Sequence, residues 1–135
     1  ATARERAAKA RAAIPTAQAK AEIWRSVTQD DLPNAIIDSA GLGFTRLGTP
    51  ADVLEPYVAI YHDTLEQLIS LGSPTIMESI ARGFYPRGLA DVRLRDATRA
   101  WLDGHPEAPD ALRRIITENA DPITRALAAQ ERDRR

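Results

Sequence analysis

Two histidines, a pair of neighbouring carboxylates, a glycine pair and several arginines are the residues of this chain whose types and spacing bear on chemistry. His62 and His105 stand far apart, and no His-Glu-x-x-His pair exists to place two imidazoles and a general base on one helix face. His62 lies beside the apolar stripe of its segment and His105 sits in a Gly-His-Pro turn, so both read as structural or solvated. Asp30 and Asp31 are adjacent, whereas general acid–base work needs two carboxylates held in different environments across a cleft. Just before Leu32-Pro33 they read as the start of a helix, where negative charge meets the positive end of the dipole.

Gly41-Leu42-Gly43 lacks the third glycine of a dinucleotide fold and the Gly-Lys-Thr ending of a phosphate loop. Within a helix, glycine costs about 1 kcal/mol relative to alanine, so its use here predicts close approach of a neighbouring helix. No Gly-x-Ser-x-Gly elbow occurs, and the chain has no cysteine, which excludes disulfides, thiolate metal sites and a cysteine nucleophile. Arg4, Arg6, Lys9 and Arg11, and the terminal Arg132, Arg134 and Arg135, read as solvated faces. Arg82 and Arg87 flank Gly83-Phe84-Tyr85-Pro86 and form the one place where cations could be aimed at a carboxylate. No residue is assigned a catalytic, cofactor-binding or metal-binding role.

The elements that carry these residues are marked by proline. Pro15, Pro33, Pro50, Pro74, Pro109 and Pro122 each suit a first helical turn, where the missing amide costs nothing. Thr49, Ser73 and Asp121 precede three of them as N-caps. Apolar residues between the marks recur at helical spacing: Ile36, Ile37, Ala40, Phe44 and Leu47, then Tyr57, Tyr61, Leu65 and Leu68. Later stripes are Ile76, Met77, Ile80 and Phe84, then Ala97, Ala100 and Trp101. The spacing predicts about eight short helices, over 2–13, 15–29, 33–47, 50–71 (kinked or divided at Pro56), 74–84, 91–103, 109–119 and 121–131. The expected fold class is all-α: a curved right-handed stack of antiparallel helix pairs, of the HEAT/armadillo-like kind, forming one domain over 1–135. The aromatics fall within the apolar stripes and read as core.

A 44% apolar and 27% charged composition fits a folded globular chain. A net charge of −1 gives no basic excess for nucleic acid, which also counts against a helix-turn-helix regulator. No apolar run approaches a membrane span and the charged opening is no signal peptide, so the expectation is a soluble, cytoplasmic protein. The opening reads as the interior of a longer polypeptide.

Several runs, in order, resemble actinobacterial aminopeptidase N. They are Ile14-Pro15-Thr16-Ala17-Gln18-Ala19-Lys20-Ala21-Glu22-Ile23-Trp24, Asp30-Asp31-Leu32-Pro33-Asn34-Ala35, Leu54-Glu55-Pro56-Tyr57-Val58-Ala59-Ile60-Tyr61, Gly83-Phe84-Tyr85-Pro86 and Ala111-Leu112-Arg113-Arg114. The family's Ala-Gly-Phe segment reads Ala40-Gly41-Leu42-Gly43-Phe44 here, a departure that shifts the alignment. The resemblance implies a parent zinc metallopeptidase releasing N-terminal amino acids, with zinc and the His-Glu-x-x-His and Gly-x-Met-Glu-Asn motifs in an upstream catalytic domain. Neither motif is in this chain, so none of its residues inherits a catalytic or metal role. Its implied place is the terminal part of a helical C-terminal domain that packs on the catalytic domain, encloses a chamber and can hold the distal ends of peptides. The alternative is a free-standing helical-repeat module that binds a protein or peptide partner.

Overall fold

The apolar stripe Ile23, Trp24 and Val27, continued upstream by Lys20, makes one side of α2 (Ala17–Gln29) unable to face water. Thr16 caps that helix, its hydroxyl accepting from the Ala19 amide, and Pro15 stands just before the cap rather than in the first turn. The computed structural model describes residues 1–134. Its other helices are α1 (Ala3–Ala12), α3 (Asn34–Phe44), α4 (Ala51–Leu54), α5 (Tyr57–Leu71), α6 (Pro74–Gly83), α7 (Val92–Gly104) and α8 (Asp110–Asp133), with a 3-10 turn at Arg87–Leu89. Among the described residues there is no strand, so the chain is all-α.

The helices form two rows. In one, α1 packs on α3, α3 on α6 and α6 on α8. In the other, α2 touches α4, and α5 packs on α7. Contacts of α1 and α3 with α2, of α5 with α6 and of α7 with α8 tie the rows together. Trp24, Phe44, Tyr57 and Phe84 meet between them, with ring centroids 5.1–5.7 Å apart in tilted and edge-on arrangements. Such pairs contribute about 0.5–1.5 kcal/mol each beyond the area they bury. Tyr61 and Tyr85 extend the cluster toward α7.

Proline both obeys and breaks the sequence expectation. Pro56 divides α4 from α5 as expected. Pro33, Pro50 and Pro109 occupy N-cap positions, and Pro74 opens α6. Pro122 starts nothing: it lies inside α8, so the helices expected at 109–119 and 121–131 are one. The stripe Leu112, Ile115, Ile116, Ala120 and Ile123 runs unbroken across it and packs inward, while Pro122 and Glu118 face water. The Glu118 carbonyl, four residues before the proline and deprived of its amide, is therefore open to solvent. Asp121, expected as a cap, instead pairs with Arg125 one turn on at 3.0 Å.

Two apolar stripes need correction. On α7 the inward face is Leu94, Thr98 and Trp101; Ala97 is half-buried and Ala100 exposed. α3 ends at Phe44, three residues early, which leaves Leu47 84% exposed. The glycine expectation holds. A Cβ on Gly41 would sit 2.9 Å from the Gly83 oxygen of α6, and one on Gly43 would overlap the Lys9 carbonyl of α1. Both contacts are with backbone, which cannot swing aside.

Candidate functional site

Because Gly41 and Gly83 let α3 and α6 touch backbone to backbone, the side chains on either side of that contact splay outward. Asp38, Leu42 and Thr45 rise from the α3 side and Ser79 and Arg82 from α6, enclosing a groove of about 290 Å³ closed at one end by Arg87. Arg87 is held in place: its Nη2 donates to the Arg82 carbonyl at 3.0 Å and to Asn119 Oδ1 at 3.3 Å. Asn119 Nδ2 in turn donates to the Ala81 carbonyl at 2.8 Å, which also accepts from the buried Tyr61 hydroxyl at 2.7 Å. Arg82 is exposed, and none of the described carboxylates pairs with it. Beyond Arg87 lies a second hollow of about 360 Å³, with an apolar lining that includes Leu47, Pro122, Ile123 and Ala126.

The two arginines singled out from sequence thus share one groove, beside the exposed Leu42 and within reach of the hollow at Leu47. A held guanidinium such as that of Arg87, with a free one beside it and apolar surface adjacent, can grip a carboxylate whose neighbour is apolar. Of the hydroxyls in the lining, Thr45 Oγ1 donates to the Gly41 carbonyl at 2.8 Å.

The other flagged residues are dispersed. His62 is buried, its Nδ1 2.6 Å from the Val58 carbonyl and its Nε2 3.0 Å from Thr98 Oγ1. A carbonyl only accepts, so Nδ1 carries the proton. In the neutral ring Nε2 accepts, so the Thr98 hydroxyl shares its one proton between His62 Nε2 and the Leu94 carbonyl at 3.0 Å, and accepts from the Tyr85 hydroxyl at 2.8 Å. Burial lowers the His62 pKa, outweighing the Val58 hydrogen bond and the Asp63 charge, and burial raises that of Tyr85. His105 stacks on Trp101 with centroids 4.2 Å apart and meets Glu66 at 3.1 Å, a hydrogen bond that raises its pKa.

Asp30 and Asp31 correct the sequence reading. Asp30 closes α2, and Asp31 follows with φ 50°, in the left-handed region that aspartate tolerates better than most residues. They mark a helix exit; α3 begins behind Pro33 without a side-chain cap. Arg4 and Arg11 line a groove between α1 and α2, whereas Arg6 points elsewhere and donates to the Ala1 carbonyl at 2.6 Å. Arg132 and Arg134 are exposed at the end of α8, and Arg135 lies outside the described residues.

Lys20 escaped the sequence reading. It is fully buried, and its Nζ donates to the Ala12 carbonyl at 2.6 Å and the Phe44 carbonyl at 3.4 Å. One ammonium therefore sits at the C-terminal ends of α1 and α3, where the dipoles favour positive charge. It also lies 5.4 Å from the Phe44 ring centroid. Burial lowers its pKa. The signal was available: Lys20, Ile23, Trp24 and Val27 follow i, i+3, i+4, i+7, which places a lysine on an apolar stripe.

The residues present do not fit zinc. Both nitrogens of His62 and both of His105 are engaged by groups of the chain itself. No three His, Asp or Glu side chains converge among the described residues. No helix among them is long and apolar enough to cross a membrane.

Comparison with known proteins adds to this geometry. The family profile described as an ERAP1-like C-terminal domain matches residues 1–125. Aminopeptidase N of Streptomyces lividans is 40% identical over 129 residues, which cover 94% of this chain. The chain spans about 15% of the length of that aminopeptidase.

Proposed function

Since the chain belongs to the ERAP1-like C-terminal domain family, we propose that it is the closing part of a zinc aminopeptidase, a wall that shapes access to a catalytic chamber and performs no bond chemistry itself. Zinc and the hydrolytic groups belong, on this reading, to an upstream catalytic domain of the same cytoplasmic polypeptide. The observation that carries the reading is the collinear match of nearly the whole chain to a small fraction of an aminopeptidase, by a chain that lacks the His-Glu-x-x-His motif. The two rows of helices support a curved right-handed stack, 1–135 being one unit of it. A wall of this kind can hold peptides by their far ends. The groove of Arg82 and Arg87 beside Leu42 offers cations suited to a terminal carboxylate next to an apolar side chain.

The test is expression of the full-length parent and assay on aminoacyl-coumarin substrates with and without a chelator. Chelator-sensitive release of the amino acid is expected from the parent and none from residues 1–135 alone. Hydrolysis by the isolated chain, or an inactive metal-loaded parent, overturns the reading. Arg82→Ala should raise KM for a heptapeptide while leaving the single-residue coumarin substrate unchanged; equal behaviour on both removes the distal-end role.

A further inference from the structure

Another groove, of about 360 Å³, opens between α2 and α5, in the row of helices that does not carry Arg82. Trp24, Tyr57 and Thr64 line it, each more than nine-tenths buried. Trp24 Nε1, the Tyr57 hydroxyl and the Thr64 hydroxyl have no hydrogen-bond partner among the described residues. None is sealed from water as Trp101 Nε1 is, so each opens on the groove. Phe44 and Phe84 pack on the Trp24 ring and fix the direction of its N–H. A protein that pairs the polar atoms of His62, Thr98 and Tyr85 inside its core thus leaves three others together on one surface, for a partner from outside.

The chemistry of the lining selects that partner. An indole N–H only donates. The lining also carries Arg25, without an ion pair among the described residues, and it contains no carboxylate. The groove therefore offers more donors than acceptors, and one positive charge. A polyanion needs several cations. A helix already pairs its carbonyls with its own amides, and an ordinary extended chain brings as many amides as carbonyls. A proline-rich segment in the polyproline II conformation brings carbonyls without amides, none of them bonded internally.

The spacing agrees. Tyr57 and Thr64 are seven residues apart on α5, about 10 Å along its axis. The polyproline II helix repeats every three residues, about 9 Å, so carbonyls one turn apart meet both hydroxyls. Trp24 stands across from Tyr57, with ring centroids 5.3 Å apart, and Ile60, exposed between Tyr57 and Thr64, gives a proline ring an apolar seat.

We propose that the α2–α5 groove binds a proline-rich segment of a partner protein in the polyproline II conformation, with an acidic residue of that segment at Arg25. The proposal is independent of the aminopeptidase reading, since it needs neither zinc nor a chamber.

The chain has two tryptophans, so proton–nitrogen NMR shows two indole N–H signals, and Trp101→Phe identifies which is which. The probe is a capped deca-proline with one central proline replaced by glutamate. The Trp24 signal should move to a limit reached below about 1 mM peptide, while that of Trp101 stays. A capped decamer of alternating glycine and serine with the same glutamate should bind at least about tenfold more weakly, because its amides face donors. Lysine in place of the glutamate should weaken the proline probe about threefold. Tyr57→Phe and Thr64→Val each remove a hydroxyl that bonds nothing in the fold. Each should weaken the probe about threefold to tenfold and leave helical dichroism and the urea midpoint unchanged. A Trp24 signal that the probe does not move shows that water alone fills the groove and overturns the proposal. Equal affinity for the glycine–serine decamer overturns the proline-rich occupant, and equal affinity for the lysine peptide overturns the role of Arg25. Undiminished binding by both hydroxyl variants overturns the placement of the site.

Discussion

The seam where α1, α3 and α6 meet and the pocket between α5, α7 and Tyr85 are equally buried, yet they are held together by opposite means. At the seam, Gly41, Gly43, Ala8 and Ala12 remove side chain until backbones touch, so the fit is steric and leaves no room for an added atom on either glycine of α3. In the pocket, His62, Thr98 and Tyr85 keep polar atoms in the core and satisfy each with a neighbour. At Gly41 and Gly43 the seam tolerates no added atom, and the pocket tolerates no removed hydrogen bond. Small-residue packing is therefore tested by enlarging a residue, and polar packing by an isosteric loss of one hydroxyl.

The largest effect is expected at the seam. Gly43→Ala should cost about 3 kcal/mol or more, since the new methyl meets the Lys9 carbonyl and α1 must move. Urea denaturation monitored by helical dichroism measures it, and a loss under 1 kcal/mol would show that α1 slides freely. Thr98→Val preserves shape but strands His62 Nε2 and the Tyr85 hydroxyl, at about 2 kcal/mol; a neutral result would break the contrast.

Acid comes next, and its sign follows from the His62 shift. The folded pKa is lowered, so between the unfolded value near 6.5 and the lower folded one the unfolded chain binds more protons. Stability contributed by neutral His62 is complete above that window and falls as pH drops through it, by at most about 1.4 kcal/mol per pH unit. His105 acts in the other direction. Its raised pKa gives a contribution present below about 6.5 and lost as pH rises through the folded value, weakened by its exposure to solvent. Denaturation midpoints between pH 7 and 5 should fall for the native chain and flatten in His62→Gln.

The smallest effect sharpens the seam itself. Gly41 and Gly83 face one another, but a Cβ on Gly83 meets only the Gly41 Cα at 3.5 Å, an ordinary contact. Gly83→Ala should then be neutral or stabilise by up to about 1 kcal/mol through helix propensity, while Gly41→Ala destabilises. Equal losses at the two positions would mean that the contact is symmetric after all.

The seam was legible in the sequence, because glycine inside a helical stripe has few other reasons to be there. The division at Pro56 was legible for the same sort of local reason. The continuity of α8 through Pro122 was not, since it depends on Glu118 facing water while Ile116, Ala120 and Ile123 stay inward, a tertiary fact. Thr98 was passed over in favour of Ala97 and Ala100 because a hydroxyl is out of place in a core until its partners are known. The Arg82 and Arg87 groove was half visible. Sequence placed both cations around one loop, but only the fold supplied Leu42 and Asn119 from distant helices.

The chain has two lysines, and the fold treats them unequally. Lys9 is open to reagents in water, whereas Lys20 is sealed beneath the ends of α1 and α3. An acylating reagent applied in a brief pulse should mark the first at once and reach the second only in molecules whose leading helix has lifted away. The protein thus carries its own two-channel clock, one amine counting molecules and the other counting openings.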